Sequence, residues 1–111
     1  MFVKRVSGLP DDTFWIVVDD ENGVPCIRLS GDLDLAATSR LRTVLRALIT
    51  DRRAERVTID LDAVDLVETV SAGFLAREQQ RAQAQGVGLE LRGARGVARR
   101  LLALAGARMQ A

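Results

Sequence analysis

From Arg56 to Asp62 apolar and polar residues alternate without a break: Val57, Ile59 and Leu61 point one way, Thr58, Asp60 and Asp62 the other. A period of two marks a strand with one face buried and one face wet. The pattern recurs in Val87, Leu89 and Leu91 against Gly88, Glu90 and Arg92, and in Ile27 and Leu29 against Cys26, Arg28 and Ser30. Three half-exposed strands are predicted. A run from Thr13 to Val18 is apolar on both sides, Trp15 and Val17 opposite Phe14 and Ile16, and reads as a further strand. Between it and the next, Asp19-Asp20-Glu21-Asn22-Gly23 is polar and glycine-ended, which suits a hairpin turn.

Helical periodicity separates the later strands. From about Ala37 to Thr50, Leu41, Val44, Leu45, Leu48 and Ile49 form one stripe while Arg40, Arg42 and Arg46 fall elsewhere. A second helix is predicted from about Val70 to Gln85, started by a Thr69 or Ser71 cap and ended by a left-handed Gly86, with glutamine-rich exposed positions. A third, from about Gly96 to Ala105, places Val97, Leu101, Leu104 and Ala105 on one face. The order is then β-β-α-β-α-β-α. Strands joined through helices run parallel with right-handed crossovers. Because these strands keep polar residues on one side, the helices are expected mainly on one face of a four-stranded mixed sheet, an α/β fold. Val57, Ile59, Leu61, Leu89 and Leu91 should be buried beneath them and Thr58, Asp60 and Glu90 should face away. Arg28, Asp60, Glu90 and Arg92 are expected to form cross-strand charge pairs there.

Composition narrows the function. With 111 residues, 48% of them hydrophobic and 28% charged, residues 1–111 fit one domain with a core large enough to fold unaided. No apolar run approaches the roughly 18 residues of a membrane span, and the amino terminus lacks a basic-then-apolar secretion pattern. A cytoplasmic protein without membrane insertion is expected. The lone Cys26 cannot form an internal disulfide, and by alternation it lies on the wet side of its strand, where nothing activates it. With no histidine and one cysteine, a zinc site, a Ser/His/Asp triad and a Cys/His pair all lack their parts. No catalytic residue, metal or cofactor is expected, which favours a binding module over an enzyme. The net charge of +1 is unevenly spread, with three bases and seven acids in residues 1–35 but seven bases and two acids in residues 77–111. Arg92, Arg95, Arg99 and Arg100 have no aromatic residue among them for base stacking, so they read as a solvated face rather than a nucleic-acid site.

Function in α/β folds gathers where a strand's carboxyl end meets the next helix, here the segment Leu61 to Leu75. Thr69 stands at the helix start. Its hydroxyl either caps the helix, worth about 1 kcal/mol, or accepts phosphate. The added charge of about −1.5 to −2 would suit the helix dipole but be opposed by Glu68 and Asp65. Asp32 and Asp34, before the first helix, are either turn and cap residues or partner contacts.

Two segments, Leu29-Ser30-Gly31-Asp32-Leu33-Asp34-Leu35 with the Arg40-Leu41-Arg42 helix after it, and Leu66 to Leu75, make nearly the whole chain resemble the STAS domain family of bacterial anti-sigma-factor antagonists and their relatives. The family's second segment reads roughly acidic-Ser-Ser/Thr-Gly-Leu-Gly, and its first hydroxyl is phosphorylated by a partner kinase that is also an anti-sigma factor. The resemblance sets Glu68 at the acid, Thr69 at the phosphoacceptor, Val70 at the second hydroxyl, Ser71 at the first glycine, Ala72 at the leucine and Gly73 at the second glycine. Ser71 is a second candidate acceptor. It further implies a partner surface of Asp32, Asp34, Glu68, Thr69, Val70, Ser71 and Phe74, for an anti-sigma factor that is a serine/threonine kinase, with a homodimer left open. The alternative, favoured by Val70 and Ser71, is a constitutive STAS subunit of a transporter ATPase or signalling assembly, without phosphorylation.

Overall fold

Asn22 and Gly23 both take positive φ, 55° and 86°, as a two-residue type I′ hairpin requires. In the computed structural model, which describes residues 4–6, 14–51 and 54–110, they join β2 (Phe14–Glu21) to β3 (Val24–Leu33) in antiparallel pairing. The Asp20 carboxylate tightens the turn by accepting the Gly23 N–H at 2.9 Å. Thr13 lies outside the described residues. β1 (Lys4–Val6) adds a short antiparallel strand beside β2. After β3 the chain crosses through α1 (Leu35–Arg46) to β4 (Arg56–Val67) and through α2 (Thr69–Ala84) to β5 (Gly88–Arg92), both pairings parallel, and ends in α3 (Gly96–Leu104). The four expected strands stand in the expected order, and β1 extends them to a five-stranded sheet ordered β1-β2-β3-β4-β5.

One layer of core follows. Val57, Ile59, Leu61, Leu89 and Leu91 are buried as the alternation predicts, together with Ile16, Ile27 and Leu29 of the neighbouring strands. Against them pack Leu41 and Leu45 of α1, Leu75 of α2 and Leu102 of α3, all essentially without solvent exposure. Each such side chain contributes about 2 kcal/mol by leaving water. Gly86 takes φ 80° and the Val87 N–H returns to the Ala82 carbonyl at 2.8 Å, ending α2 as the glycine predicts.

Several elements differ from the sequence reading. β4 runs on to Val67, five residues past the alternating stretch. Between Arg28/Asp60 and Ser30/Ala63, and again between Gly31/Val64 and Asp32/Leu66, β4 carries one residue more than β3. Each extra residue is a bulge that turns the side-chain parity over, so the period of two stops while the pairing continues. Asp60 Oδ1 accepts the Asp62 N–H at 2.9 Å within the first bulge. Gly93 passes so close that a Cβ there would lie 2.8 Å from the Asp62 nitrogen, and its φ of 83° also requires glycine. α1 starts two residues early because Asp34 caps it, accepting the Ala37 N–H at 2.9 Å, and it widens into a π-helical turn at Ala47–Asp51. In α3 the buried side chain is Leu102, while Val97 and Leu104 are exposed. Leu101 belongs to both possible stripes, and only packing decides between them.

The glutamine-rich face of α2 contains one residue that is not exposed. Gln79 is buried, and its Nε2 donates to the carbonyls of Leu89 (3.1 Å) and Arg108 (2.7 Å) while its Oε1 accepts the Arg108 N–H (2.8 Å). It thereby fastens the chain after α3 to the free edge of β5, where Met109 bridges Leu91 in parallel and the Gln110 N–H reaches the Leu91 carbonyl. Gln79→Leu keeps the volume but removes the partner of three backbone groups, the buried Leu89 carbonyl and the part-buried carbonyl and N–H of Arg108. It should lower unfolding free energy in urea by about 2 kcal/mol and speed hydrogen exchange at Arg108.

The uncovered face is polar but not fully wet. Arg92 donates to Glu21 (2.6 and 2.8 Å), to Asp60 (3.4 Å) and to the Cys26 sulfur (3.7 Å), and Arg28 pairs with Glu21 (3.0 Å) and Asp19 (3.7 Å). Glu90 takes Arg56 (2.7 Å) rather than Arg28 or Arg92. Of the four residues expected to pair with one another here, only Arg92 and Asp60 do; the hub of the network is Glu21 at the hairpin. Cys26 and Thr58, expected on the wet side, are both buried beneath this face, and burial pushes the Cys26 thiol above its ordinary pKa. The hydrogen bond from Arg92 holds the Glu21 carboxyl down to about 2. A carboxyl depressed in the folded state stabilises fully above its unfolded value of about 4.5, and that contribution is lost as pH falls towards 2. Thermal unfolding followed across pH 5 to about 2 should show a steeper loss for the native chain than for Glu21→Gln, and salt should narrow the difference.

Candidate functional site

Two joints of one residue each form the end of the sheet where the parallel strands finish. β3 ends at Leu33 and α1 begins at Leu35, with Asp34 between; β4 ends at Val67 and α2 begins at Thr69, with Glu68 between. The joints are held side by side because Leu33 pairs with Val67 and the Glu68 N–H donates to the Leu33 carbonyl at 3.1 Å. Asp32, paired with Leu66 in the same register, completes the rim. Chains this short leave the helix starts no slack.

Thr69 is the first residue of α2, not its cap. The cap position belongs to Glu68, whose side chain makes no capping hydrogen bond, one methylene too long for the short reach that Asp34 manages on α1. The Thr69 side chain is exposed and its hydroxyl makes no hydrogen bond among the described residues. The first N–H that α2 satisfies within its own ladder is that of Ala72, on the Glu68 carbonyl at 2.9 Å. The N–H groups of Thr69, Val70 and Ser71 precede that ladder, at the positive end of the helix dipole.

The residues singled out from sequence separate into surface and support. Glu68, Thr69 and Val70 are exposed, Asp32 and Asp34 half-buried at the rim. Ser71 is fully buried with its Oγ unpaired, so it offers no hydroxyl to an enzyme while α2 is folded. Phe74 is also buried, beneath the Arg42 guanidinium 5.2 Å from its ring centroid, and braces α2 from below instead of lining the surface. Sequence reasoning missed Leu35 and Leu66, which are 64% and 50% exposed and with Val70 (51%) put three large apolar residues at the same end of the sheet as Thr69, among the strand end and helix starts there. The available signal was that neither fits its element: Leu35 is off the α1 stripe, and Leu66 and Val67 are adjacent strand residues that cannot both point inward. Large apolar side chains grouped on a surface and rimmed by carboxylates mark a protein contact. Among the described residues, no group of three His, Cys, Asp or Glu side chains is placed to hold a metal, and no helix is long and apolar enough to cross a membrane.

A family model described as Mlab, STAS domain matches residues 16–108. An anti-sigma factor antagonist from Mycobacterium paratuberculosis superposes with a TM-score of 0.73 at 29% identity, over 91% of this chain and 83% of that one. SpoIIAA, an anti-sigma factor antagonist solved in its unphosphorylated form, gives 0.69 at 15% identity over 86% and 87%. SLC26A9 gives 0.64 at 14% identity over 94% of this chain and 20% of that one. At these last two identities the likeness is one of fold. No match is found among curated proteins. With the family model spanning all but the ends of the chain, and the element order read from its own alternation and periodicity, this protein belongs to the STAS domain family.

Proposed function

We propose that the protein is an anti-sigma-factor antagonist that captures an anti-sigma kinase on the surface around Thr69 and releases it when Thr69 is phosphorylated. The observation that carries this reading is the unengaged Thr69 hydroxyl, exposed at the start of α2 within the patch of Leu35, Leu66 and Val70. The similarity to the mycobacterial antagonist supports the choice of partner. Unmodified, the patch supplies apolar contact, and Asp32, Asp34, Asp65 and Glu68 draw in a basic partner surface. Phosphate adds about −1.5 to −2 charge in the middle of that contact. Beside Glu68, the charge would be desolvated and repelled in the complex.

The second reading, a constitutive STAS subunit of a transporter ATPase or signalling assembly, draws on Val70. An exposed valine where the family has a second hydroxyl makes the patch more apolar, as permanent contacts are.

Incubation with the co-purified partner kinase and ATP separates the two readings. Mass spectrometry should place one phosphate on Thr69, and the phosphorylated form should bind at least about tenfold more weakly. Phosphate on another residue, or equal affinities, sinks the switch and leaves the constitutive subunit. Thr69→Ala should keep binding and resist modification. Because its hydroxyl caps nothing, the change should move stability by no more than about 0.5 kcal/mol in urea unfolding. A second variant probes the patch itself. Leu35→Asp should weaken partner binding at least about tenfold in calorimetric titration, with the melting temperature nearly unchanged because the side chain is already exposed.

A further inference from the structure

α1 and α2 each carry two arginines one helical turn apart, Arg42 and Arg46 on the first, Arg77 and Arg81 on the second. All four line one open groove of about 620 Å³ between the helices, with Phe74 and Glu78 in its floor. The groove continues past Arg46 and Arg81 towards Thr50 and Gln85. Among the described residues that line it, Glu78 is the one carboxylate, and it reaches only Arg81, at 3.7 Å. Among the described residues no ion pair engages Arg42, Arg46 or Arg77.

Like charges at i,i+4 oppose helix formation, and here two such pairs also face each other across a groove. A solvated helix face ordinarily mixes signs; this one works against the fold it belongs to. We infer that the α1–α2 groove is a second docking surface, which takes an acidic helix of a partner protein. On each helix the two arginines repeat at one helical turn, the spacing at which a docked helix presents carboxylates at i and i+4. From Phe74 to Gln85 the groove runs about 16 Å, room for about three turns. Guanidinium forks match carboxylates in two-bonded geometry. A nucleic acid fits less well, because the one aromatic ring in the groove, Phe74, is buried under Arg42 and offers no face to a base. An anionic membrane fits less well too, because none of the exposed large apolar residues, Leu35, Leu66, Val70, Val97 and Leu104, lines the groove as an anchor. The groove is distinct from the Thr69 patch and does not depend on its modification.

The test is an NMR titration of the whole chain with an alanine-based helical peptide of about three turns carrying glutamates at i,i+4 spacing. A permuted peptide of the same composition, with its glutamates in one block, serves as the comparison. Shifts should concentrate in residues 42–50 and 74–85, with the spaced peptide bound at least about fivefold more tightly than the block and with an affinity that falls as salt rises. Arg46→Glu combined with Arg77→Glu should abolish the shifts. Arg46→Gln and Arg77→Gln should each weaken binding while leaving the melting curve in place, which guards against misfolding of the reversed variant. Equal binding of the two peptides, shifts outside the groove, or tighter binding of an oligothymidylate or of phosphatidylglycerol vesicles to these arginines would overturn the proposal. Each of these outcomes leaves the Thr69 experiment unaffected, since that one reads phosphate and kinase affinity.

Discussion

The parallel pairing of β3 with β4 is the constraint on which the rest of the molecule depends. Two consecutive right-handed crossovers, β3-α1-β4 and β4-α2-β5, place both helices on the same face of the sheet and bring their starts to the same end. Single residues join strand to helix in both units, so the positions of Asp34, Leu35, Glu68 and Thr69 are fixed by the strand register alone. The two bulges in β4 extend this pairing far enough for Leu66 and Val67 to sit opposite Asp32 and Leu33. Gly93 is part of the same constraint, because any side chain there would push the end of β5 away from the bulged backbone at Asp62.

A sheet covered by helices on one face must keep its other face from pairing with the wrong partner. Here the solution is electrostatic. Glu21, from the hairpin, is shared by Arg28 of β3 and Arg92 of β5, and Asp60 of β4 also meets Arg92. The network draws on four strands, β2 to β5, and Arg92 within it reaches the buried Cys26, so long charged side chains stand where helices would have supplied a second layer. The acidic first third and basic last third of the chain meet in this network, Glu21 and Asp19 from one end, Arg92 from the other. The arginines of the α1–α2 groove lie outside it, and among the described residues only Arg81 meets a carboxylate, that of Glu78.

How far the sequence carried the reading follows from where local periodicity is faithful to packing. The alternation at Val57, Ile59 and Leu61 and the stripe at Leu41, Val44 and Leu45 are faithful, because each residue's neighbours in space are set by its own element. The reading failed where a non-local contact intervened. A bulge in β4 is specified by its pairing with β3, and no residue near Ala63 or Asp65 announces it. Gln79 is polar and sits among other glutamines, and its burial depends on a tail thirty residues later that its amide fastens to β5. Cys26 has the parity of a wet position but is buried, with the Arg92 guanidinium reaching its sulfur from β5. At the site, Thr69 and its acidic neighbours were legible from their place between strand and helix. Leu35 and Leu66 left only the weaker signal of not fitting their elements, and their exposure at the site depends on where the strand ends and helix starts meet.

The start of α2 forgoes stability in a way that bears on function. A short side chain at Glu68 would cap the helix, as Asp34 does on α1, worth about 1 kcal/mol. The buried, unpaired hydroxyl of Ser71 adds a further local cost. The helix holds nonetheless because Ala72 and Leu75 are buried in the core one turn on. Stability in this segment thus comes from the inner face of α2, while Thr69 on its outer face is engaged in nothing. A phosphate at the first helical position would find the helix dipole favourable by about 0.3 to 1 kcal/mol, and Glu68 and Asp65 would repel it by a comparable screened amount, so the fold itself would barely respond. In a contact that covers Leu35, Leu66 and Val70 the balance is different. There the charge would lose water beside Glu68, a penalty of several kcal/mol falling on the complex alone. An uncommitted hydroxyl on an under-capped helix is therefore a place where modification can act on binding and leave the protein folded.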